Sequence, residues 1–185
     1  MDHYIDLNLL PDPEFPAPIL MNALFSKLHR VLAQVNSTEI GVSFPAIGAR
    51  HMGNTLRLHG SKTALENLMK QTWLTGMRDH CDASEVRQVP EDAGHCRLQR
   101  VQAKSNAERL RRRYQKRHPD ESPEAVAKVI PDASEKRLEL PYVRLKSQST
   151  GQDFPLFIRQ ERVDAEQVGA FNTYGFSQMA TVPMF

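Results

Sequence analysis

The chain has 185 residues, of which 40% are hydrophobic and 25% are charged, and its formal net charge is +2 at pH 7. These values indicate a globular protein of one large or two small domains, and they exclude a membrane protein, because no apolar run approaches the roughly 18 residues that a span needs. With no secretory signal at the N-terminus and two cysteines that make no disulfide framework, the sequence predicts a cytoplasmic protein.

The first half of the sequence predicts strands and helices in alternation. Apolar residues alternate at Ile5, Leu7 and Leu9, as on one face of a half-buried strand, and then recur at helical spacing. The predicted elements are a strand at 3–10, a helix at 18–35, strands at 40–44 and 55–59, a helix capped by Ser61 and a weaker strand at 85–89. This β-α-β-β-α-β order predicts a ferredoxin-like N-terminal domain over residues 1–94, a fold that RNA-recognition modules also use.

The second half combines a basic helix with further strands. A linker at 90–103 precedes the helix, which a capping box of Ser105 and Glu108 should start and Pro119 should end near residue 118. The later predicted elements are a helix at 123–130 capped by Ser122, strands at 142–146 and 156–159 joined by residues 147–153, and C-terminal strands at 171–176 and 181–185. The whole sequence therefore predicts the α+β class.

Positive charge is concentrated in one segment. Residues 97–118 contain nine Lys or Arg residues and one acid, Glu108, so the segment carries +8 and the rest of the chain −6. The basic side chains expected on one side of the helix are Arg109, Arg112, Arg113, Lys116 and Arg117. An acidic body with one basic helix indicates a polyanionic partner that docks at one place.

Duplex RNA is a good candidate for this partner, because its phosphates line a deep groove along whose mouth the helix could lie. A solvated charged face is the simplest alternative, and the lack of compensating acids favours binding over it. A DNA-binding protein that inserts the helix into a major groove is another alternative. A membrane surface is disfavoured, because no broad apolar face accompanies the charges. Just before the helix, Arg100 and Gln102 have side chains that suit the edges of guanine and adenine.

Four polar residues are candidates for chemistry, and each has a structural alternative. His29 lies at the edge of the apolar stripe of the first helix, where an imidazole can transfer protons or only pack. Ser147 and Ser149 lie where a strand meets a turn, a place where hydroxyls commonly bond to the backbone. Tyr174 would ordinarily be a half-buried strand residue.

Metal and cofactor sites are not predicted. The adjacent pairs His80–Cys81 and His95–Cys96 could suggest zinc, but neighbours on an extended chain point to opposite faces and chelate poorly. No GxxxxGK[ST], GxSxG or HExxH motif occurs. A nuclease with this sequence would therefore use the 2′-hydroxyl of RNA itself.

Several strings resemble those of a known family. They are MDHYIDLNLLPDPEFP, LFSKLH, IGVSFP, RVQAKSNAERLRRR, KSQSTGQ and TYGFS. Together they make the chain similar to the CRISPR repeat-processing endoribonucleases of subtype I-F, over its whole length from Met1 to Phe185. The similarity is weakest at residues 47–53 and 79–98.

The resemblance implies a ferredoxin-like N-terminal domain followed by a divergent RNA-hairpin-binding domain at 95–185. It implies that His29 activates the 2′-hydroxyl upstream of the scissile phosphate, that Ser147 holds that ribose in the reactive pose, and that Tyr174 orients the histidine. Phe154 would stack against the terminal base pair of a hairpin stem. Its neighbours Asp153 and Pro155 depart from the family pattern.

For RNA binding, the resemblance implies that Arg100 and Gln102 read the last base pairs of the stem, while Arg113 and Arg117 clasp phosphates near the cut. The full set expected to contact RNA is Arg100, Gln102, Arg112, Arg113, Lys116, Arg117, Ser149 and Phe154. The implied reaction needs no metal and leaves a 5′-hydroxyl and a 2′,3′-cyclic phosphate. The enzyme would keep its cleaved hairpin and join the crRNA-guided surveillance complex. A non-catalytic hairpin-binding module is the alternative.

Overall fold

The computed structural model describes residues 1–102, 107–131, 138–148 and 150–185. Their contacts form two compact units, the first of Met1–Val101 with Leu140–Phe185 and the second of Gln102–Glu139. The first unit includes strands that follow residue 94, because those strands share its apolar core. The division into functional domains at residues 1–94 and 95–185 stays a prediction.

The first sheet is antiparallel and contains the four predicted strands together with one short strand, Cys81–Ala83, that was not predicted. The elements of this part of the chain are β1 (His3–Leu9), α1 (Ala17–Gln34), β2 (Gly41–Ser43), β3 (Thr55–Gly60), α2 (Lys62–Lys70), β4 (Cys81–Ala83) and β5 (Arg87–Gln88). The strands lie in the order β2-β3-β1-β4, and β5 pairs with β1 beside His3 and Tyr4. Ser61 caps α2 as predicted, because its Oγ accepts the backbone N–H of Ala64 at 3.2 Å.

The second sheet is also antiparallel, and one of its inner strands was not expected. Its strands are β6 (Gly94–Val101), β7 (Tyr142–Lys146), β8 (Asp153–Val163) and β9 (Val182–Met184), in the order β7-β8-β6-β9. The prediction of a linker at 90–103 was therefore wrong. Cys96 and Leu98 are buried on one face of β6, but the polar residues around them hid this short alternation.

The predicted C-terminal strand at 171–176 was also wrong. These residues form a turn, in which the side chain of Asn172 accepts the backbone N–H groups of Tyr174 and Phe176. Asn followed by Gly within a few residues is a turn signal, and the aromatic residues around it outweighed that signal in the prediction. The predicted strand at 181–185 exists as β9.

The helices of the first unit cover its sheets. Helix α1 lies against β1 and β7, and α2 lies against β1 and β3. The apolar stripe of α1 is buried in one core that extends through both sheets. The buried residues of α1 are Leu20, Met21, Leu24, Phe25, Leu28, Val31 and Leu32. Because His29 follows Leu28, it lies at the edge of this stripe and is half-buried.

The second unit contains α3 (Ala107–Arg117) and α4 (Pro123–Val129), close to the two predicted helices. Ser122 caps α4 as predicted, with its Oγ accepting the backbone N–H of Ala125 at 3.2 Å. The predicted cap of α3, Ser105, lies outside the described residues. The observed class is thus mixed α+β, with two antiparallel sheets and four helices in the described parts of the chain.

Candidate active site

One cavity of about 590 Å³ brings the predicted catalytic residues together in the first unit. Three stretches of the chain that are far apart in the sequence meet there: α1, the end of β7 with the turn and the start of β8 that follow it, and the turn at 172–176. The lining residues are Ser26, His29, Arg30, Leu145, Lys146, Ser147, Gln148, Gly151, Phe154 and Tyr174. His29, Ser147 and Tyr174 therefore line the same cavity, although they are far apart in the sequence.

The imidazole of His29 is held in one tautomer by a backbone carbonyl. Its Nδ1 lies 2.9 Å from the carbonyl oxygen of Thr173. A carbonyl oxygen only accepts hydrogen bonds, so the proton of the neutral ring is on Nδ1 and the lone pair is on Nε2. This arrangement gives the cavity a group that can accept a proton at Nε2.

Tyr174 fixes the plane of that imidazole. The two rings are stacked, with centroids 4.0 Å apart and an interplanar angle of 10°. Tyr174 in turn stacks on Phe25 and Phe176, with centroid distances of 6.4 and 6.1 Å. Because Phe25 and Phe176 are fully buried, the tyrosine rests on the rigid core and limits the motion of the histidine ring.

The turn that carries Thr173 and Tyr174 is tied to the first sheet. The backbone N–H of Phe171 donates to the carbonyl of Thr38 at 3.0 Å, and the N–H of Val42 donates to the carbonyl of Gly175 at 3.1 Å. Gly175 has a φ of +73°, which glycine adopts readily. These bonds place the turn beside α1, although it lies far from α1 in the sequence.

Ser147 lies directly after β7, at the start of a second tight turn. Its backbone N–H donates to the carbonyl of Gln152 at 2.8 Å, and its Oγ accepts the N–H of Thr150 at 3.3 Å. The predicted turn contacts of this hydroxyl are therefore present, and the side chain also lines the cavity. Ser149, a predicted RNA contact, lies outside the described residues.

Phe154 and Arg100 form a pair at the side of this cavity. Phe154 is the second residue of β8 and lines the cavity. The guanidinium carbon of Arg100 lies 5.6 Å from the centre of the Phe154 ring, within cation–π range. Arg100 is exposed on β6. It therefore lies on a strand and not in the linker that the sequence analysis predicted.

Two cationic residues of the cavity were missed by the sequence analysis. Arg30 follows His29 on α1, and Lys146 precedes Ser147 at the end of β7. The guanidinium of Arg30 donates to the Oγ and the carbonyl of Ser26, at 3.2 and 3.3 Å, which holds it along the helix. Their adjacency to His29 and Ser147 was a signal that could have identified both.

Comparison with known proteins agrees with the resemblance seen in the sequence. The model of a family described as CRISPR-associated protein (Cas_Csy4) matches residues 4–185. This chain belongs to that family. A protein of Pseudomonas aeruginosa (strain UCBPP-PA14) named CRISPR-associated endonuclease Cas6/Csy4 is 48% identical over 189 aligned residues, which cover all of both chains. A protein of Escherichia coli (strain UTI89 / UPEC) with the same name is 46% identical over 186 residues, again covering both chains completely.

In this Csy4-family chain the second unit presents the predicted basic helix. Arg111 and Tyr114 bond to residues that flank α4: the Nε of Arg111 donates to the carbonyl of Ile130 at 2.8 Å, and the Tyr114 hydroxyl donates to Glu121 at 3.2 Å. The opposite side of α3 is exposed and basic. Its exposed cationic residues are Arg109, Arg112, Arg113, Lys116 and Arg117.

These exposed cations differ in their partners. Arg112 donates to Glu108 at 2.8 Å in an exposed pair, of the kind that contributes little to stability. Within the described residues, Arg113, Lys116 and Arg117 make no hydrogen bond or ion pair. Gln102, the first residue of this unit, is exposed. Helix α3 therefore presents positive charge at Arg113, Lys116 and Arg117 that no described residue neutralises through an ion pair or hydrogen bond.

Three of the four residues weighed as zinc ligands are buried thiols or have another partner. Burial raises the pKa of the Cys81 and Cys96 thiols to about 11 and about 12. The Nδ1 of His80 lies 2.8 Å from a carboxylate oxygen of Asp12. Among the described residues, no group of three His, Cys, Asp or Glu side chains is placed to hold a metal ion. None of the helices in the described ranges has the length and apolarity to cross a membrane.

Proposed function

We propose that this chain is an endoribonuclease that binds the stem-loop of CRISPR repeat RNA and cleaves it at the base of the stem to give mature crRNA. The names of its relatives support the endonuclease activity. The observation that carries the proposal is the cavity in which His29 is hydrogen-bonded by Thr173, stacked on Tyr174 and accompanied by Ser147. We further propose that the first sheet with α1 and α2 is a ferredoxin-like domain, on the basis of its strand order.

The proposed reaction uses the substrate's own nucleophile. His29 Nε2 takes the proton of the 2′-hydroxyl upstream of the scissile phosphate, and O2′ attacks phosphorus as the bond to O5′ breaks. O5′ leaves and takes a proton from water, so the products are a 2′,3′-cyclic phosphate and a 5′-hydroxyl, and the protonated His29 returns its proton to solvent. Ser147 holds the ribose, Tyr174 orients the imidazole, and the charges of Arg30 and Lys146 favour the phosphate that becomes more negative in the transition state.

The arginine-rich helix supplies most of the binding energy in this proposal. Arg113 and Arg117 contact phosphates along the groove of the stem, and Arg112 and Lys116 add charge beside them. Each such contact releases counterions from the RNA, so affinity falls steeply with salt. The exposure of Arg113, Lys116 and Arg117, and the lack of an ion pair to them among the described residues, support this assignment.

Recognition of the stem base is proposed to combine stacking with base readout. Phe154 stacks on the terminal base pair, and Arg100, which lies above the Phe154 ring, reads a guanine in the last base pairs. Gln102 reads an adenine there. Ser149 contacts the same end of the RNA. The cleaved hairpin stays bound, which would deliver the crRNA to the other subunits of a surveillance complex.

Substitution of His29 tests the activity. We expect His29→Ala to lower the single-turnover cleavage rate by about 10²–10⁴-fold, the usual contribution of a general base. Hairpin affinity should stay unchanged, because the histidine acts on the transition state. His51→Ala is the matched control, since His51 is exposed and lies outside the cavity. Cleavage by His29→Ala at the wild-type rate would refute the proposal, and loss of wild-type cleavage in chelator would refute a metal-independent mechanism.

A further inference from the structure

The turn at 172–176 has a single side chain at the centre of its hydrogen bonds. The Oδ1 of Asn172 accepts the backbone N–H of Tyr174 at 2.9 Å and that of Phe176 at 3.2 Å. The backbone of the same residue closes the turn, with its N–H donating to the Phe176 carbonyl and its carbonyl accepting from Gly175, both at 2.8 Å. Asn172 is exposed, so it holds the turn through these hydrogen bonds and not through burial of its side chain.

The peptide held inside this turn is the one that faces His29. Thr173 lies between Asn172 and Tyr174, and its carbonyl oxygen receives the proton of His29 Nδ1 at 2.9 Å. Oδ1 of Asn172 fixes the N–H of the peptide group whose carbonyl belongs to Thr173, because that group joins Thr173 to Tyr174. The direction of the Thr173 carbonyl therefore depends on the Asn172 side chain.

We propose that Asn172 is a positioning residue that sets the tautomer of His29, an inference that rests on the proposed cleavage mechanism. A neutral imidazole has one protonated nitrogen and one lone pair. With the Thr173 carbonyl in place, the proton is on Nδ1 and the lone pair on Nε2 can accept the proton of the 2′-hydroxyl. If the carbonyl turns away, part of the population carries its proton on Nε2 and has no base on that nitrogen.

The chemistry of the amide side chain provides a matched set of variants. The Asn172 side chain has two polar atoms, and they differ in their bonds. Oδ1 accepts two hydrogen bonds, and Nδ2 donates none to the described residues. Asn172→Asp keeps the acceptor at the same place. Asn172→Ala removes it, and Asn172→Gln moves it one methylene away while keeping the amide at an exposed position.

The experiment measures single-turnover cleavage of a repeat hairpin across pH, together with hairpin affinity and the ¹⁵N shifts of the His29 ring in the RNA-free protein. We expect Asn172→Ala and Asn172→Gln to lower the plateau rate by at least about tenfold, as a misplaced catalytic group does. Affinity should be unchanged, and the ring should shift from Nδ1–H toward a mixture of tautomers. Asn172→Asp should stay within about threefold of wild type on the plateau, where the extra carboxylate no longer affects imidazole protonation.

Three results would overturn the inference. The first is wild-type cleavage by Asn172→Ala and Asn172→Gln while His29→Ala is inactive. The second is an equal loss in all three Asn172 variants with no change of tautomer, which would indicate a merely structural role. The third is an unchanged Nδ1–H tautomer in the folded Ala and Gln variants, whatever their activity. Cleavage by His29→Ala would instead remove the proposed mechanism, and the ring spectra would still test what Asn172 does to the tautomer.

Discussion

Replacing Gly175 with alanine should damage both stability and activity, because this glycine is needed for two separate reasons. Its φ is +73°, and a Cβ there would lie 2.6 Å from Cγ1 of the buried Val42. An alanine in the left-handed region costs about 1–2 kcal/mol, and forcing an extra carbon against a packed side chain costs about 1–3 kcal/mol more. We therefore expect a loss of roughly 2–5 kcal/mol in the free energy of unfolding.

Gly76→Ala is a control that measures the cost of a positive φ alone, without a steric clash. Its φ is +74°, but no atom lies within 4 Å of the place where its Cβ would be. Gly76→Ala should therefore lower the free energy of unfolding by only about 1–2 kcal/mol. For a chain of this size, 1 kcal/mol corresponds to about 2–4 °C in Tm, so thermal or urea unfolding can separate the two variants.

The contact with Val42 can be isolated in the same assay. Val42→Ala removes the methyl group that the new Cβ would meet, so the double variant should lose less stability than the two single losses together. Cleavage by Gly175→Ala should also fall at temperatures where it stays folded, since the turn holds the Thr173 carbonyl on His29. Equal losses in Gly175→Ala and Gly76→Ala, with no coupling to Val42, would refute the reasoning.

Three further predictions concern binding, specificity and pH. Arg113→Ala and Arg117→Ala should each weaken hairpin binding. Each should also make the binding constant less sensitive to salt, so that the slope of log K against log salt concentration becomes shallower by about 0.9 or less. Lys62→Ala on α2 should change neither the affinity nor this slope. Arg100→Ala should weaken binding of the matched stem by about 1–3 kcal/mol, and should weaken binding of a stem with that base pair swapped by much less. Equal losses on the two stems would mean that Arg100 contacts only a phosphate. Burial lowers the pKa of His59 from 6.5 to about 3, so the unfolded chain binds the extra proton and stability should fall as pH drops from about 6.5 toward 3. Unfolding free energies measured over that range should fall less steeply in His59→Asn, and an identical pH dependence would exclude this histidine as a cause.

Sequence patterns over a few neighbouring residues predicted several helices and strands correctly. The alternation at Ile5, Leu7 and Leu9 gave β1, the Ser61 and Ser122 caps gave the starts of two helices, and Tyr142–Lys146 was predicted with its observed bounds. Strand β6 was missed because only Cys96 and Leu98 mark its buried face, within a run of polar residues. Its identity as a strand depends on pairing with β8, which lies far away in the sequence.

The candidate site shows the same limit more strongly. Local spacing left His29, Ser147 and Tyr174 as three unrelated polar residues, and only the resemblance to a family assigned them a common role. The fold brings them together through long-range bonds, such as that between His29 and Thr173. Asn172 was missed, because its importance arises from a turn that the sequence had suggested was a strand.

The central claim is that the RNA supplies its own nucleophile in the His29 cavity. A hairpin with a single 2′-deoxy sugar just upstream of the cut tests it most directly, because this change removes one hydroxyl and leaves the stem intact. We predict that wild-type protein binds this hairpin as tightly as the all-ribose one and leaves it whole, while it cuts the all-ribose hairpin in chelator to a 2′,3′-cyclic phosphate and a 5′-hydroxyl. Cleavage of the deoxy hairpin would contradict the account, since the nucleophile would then be water or a metal-bound hydroxide.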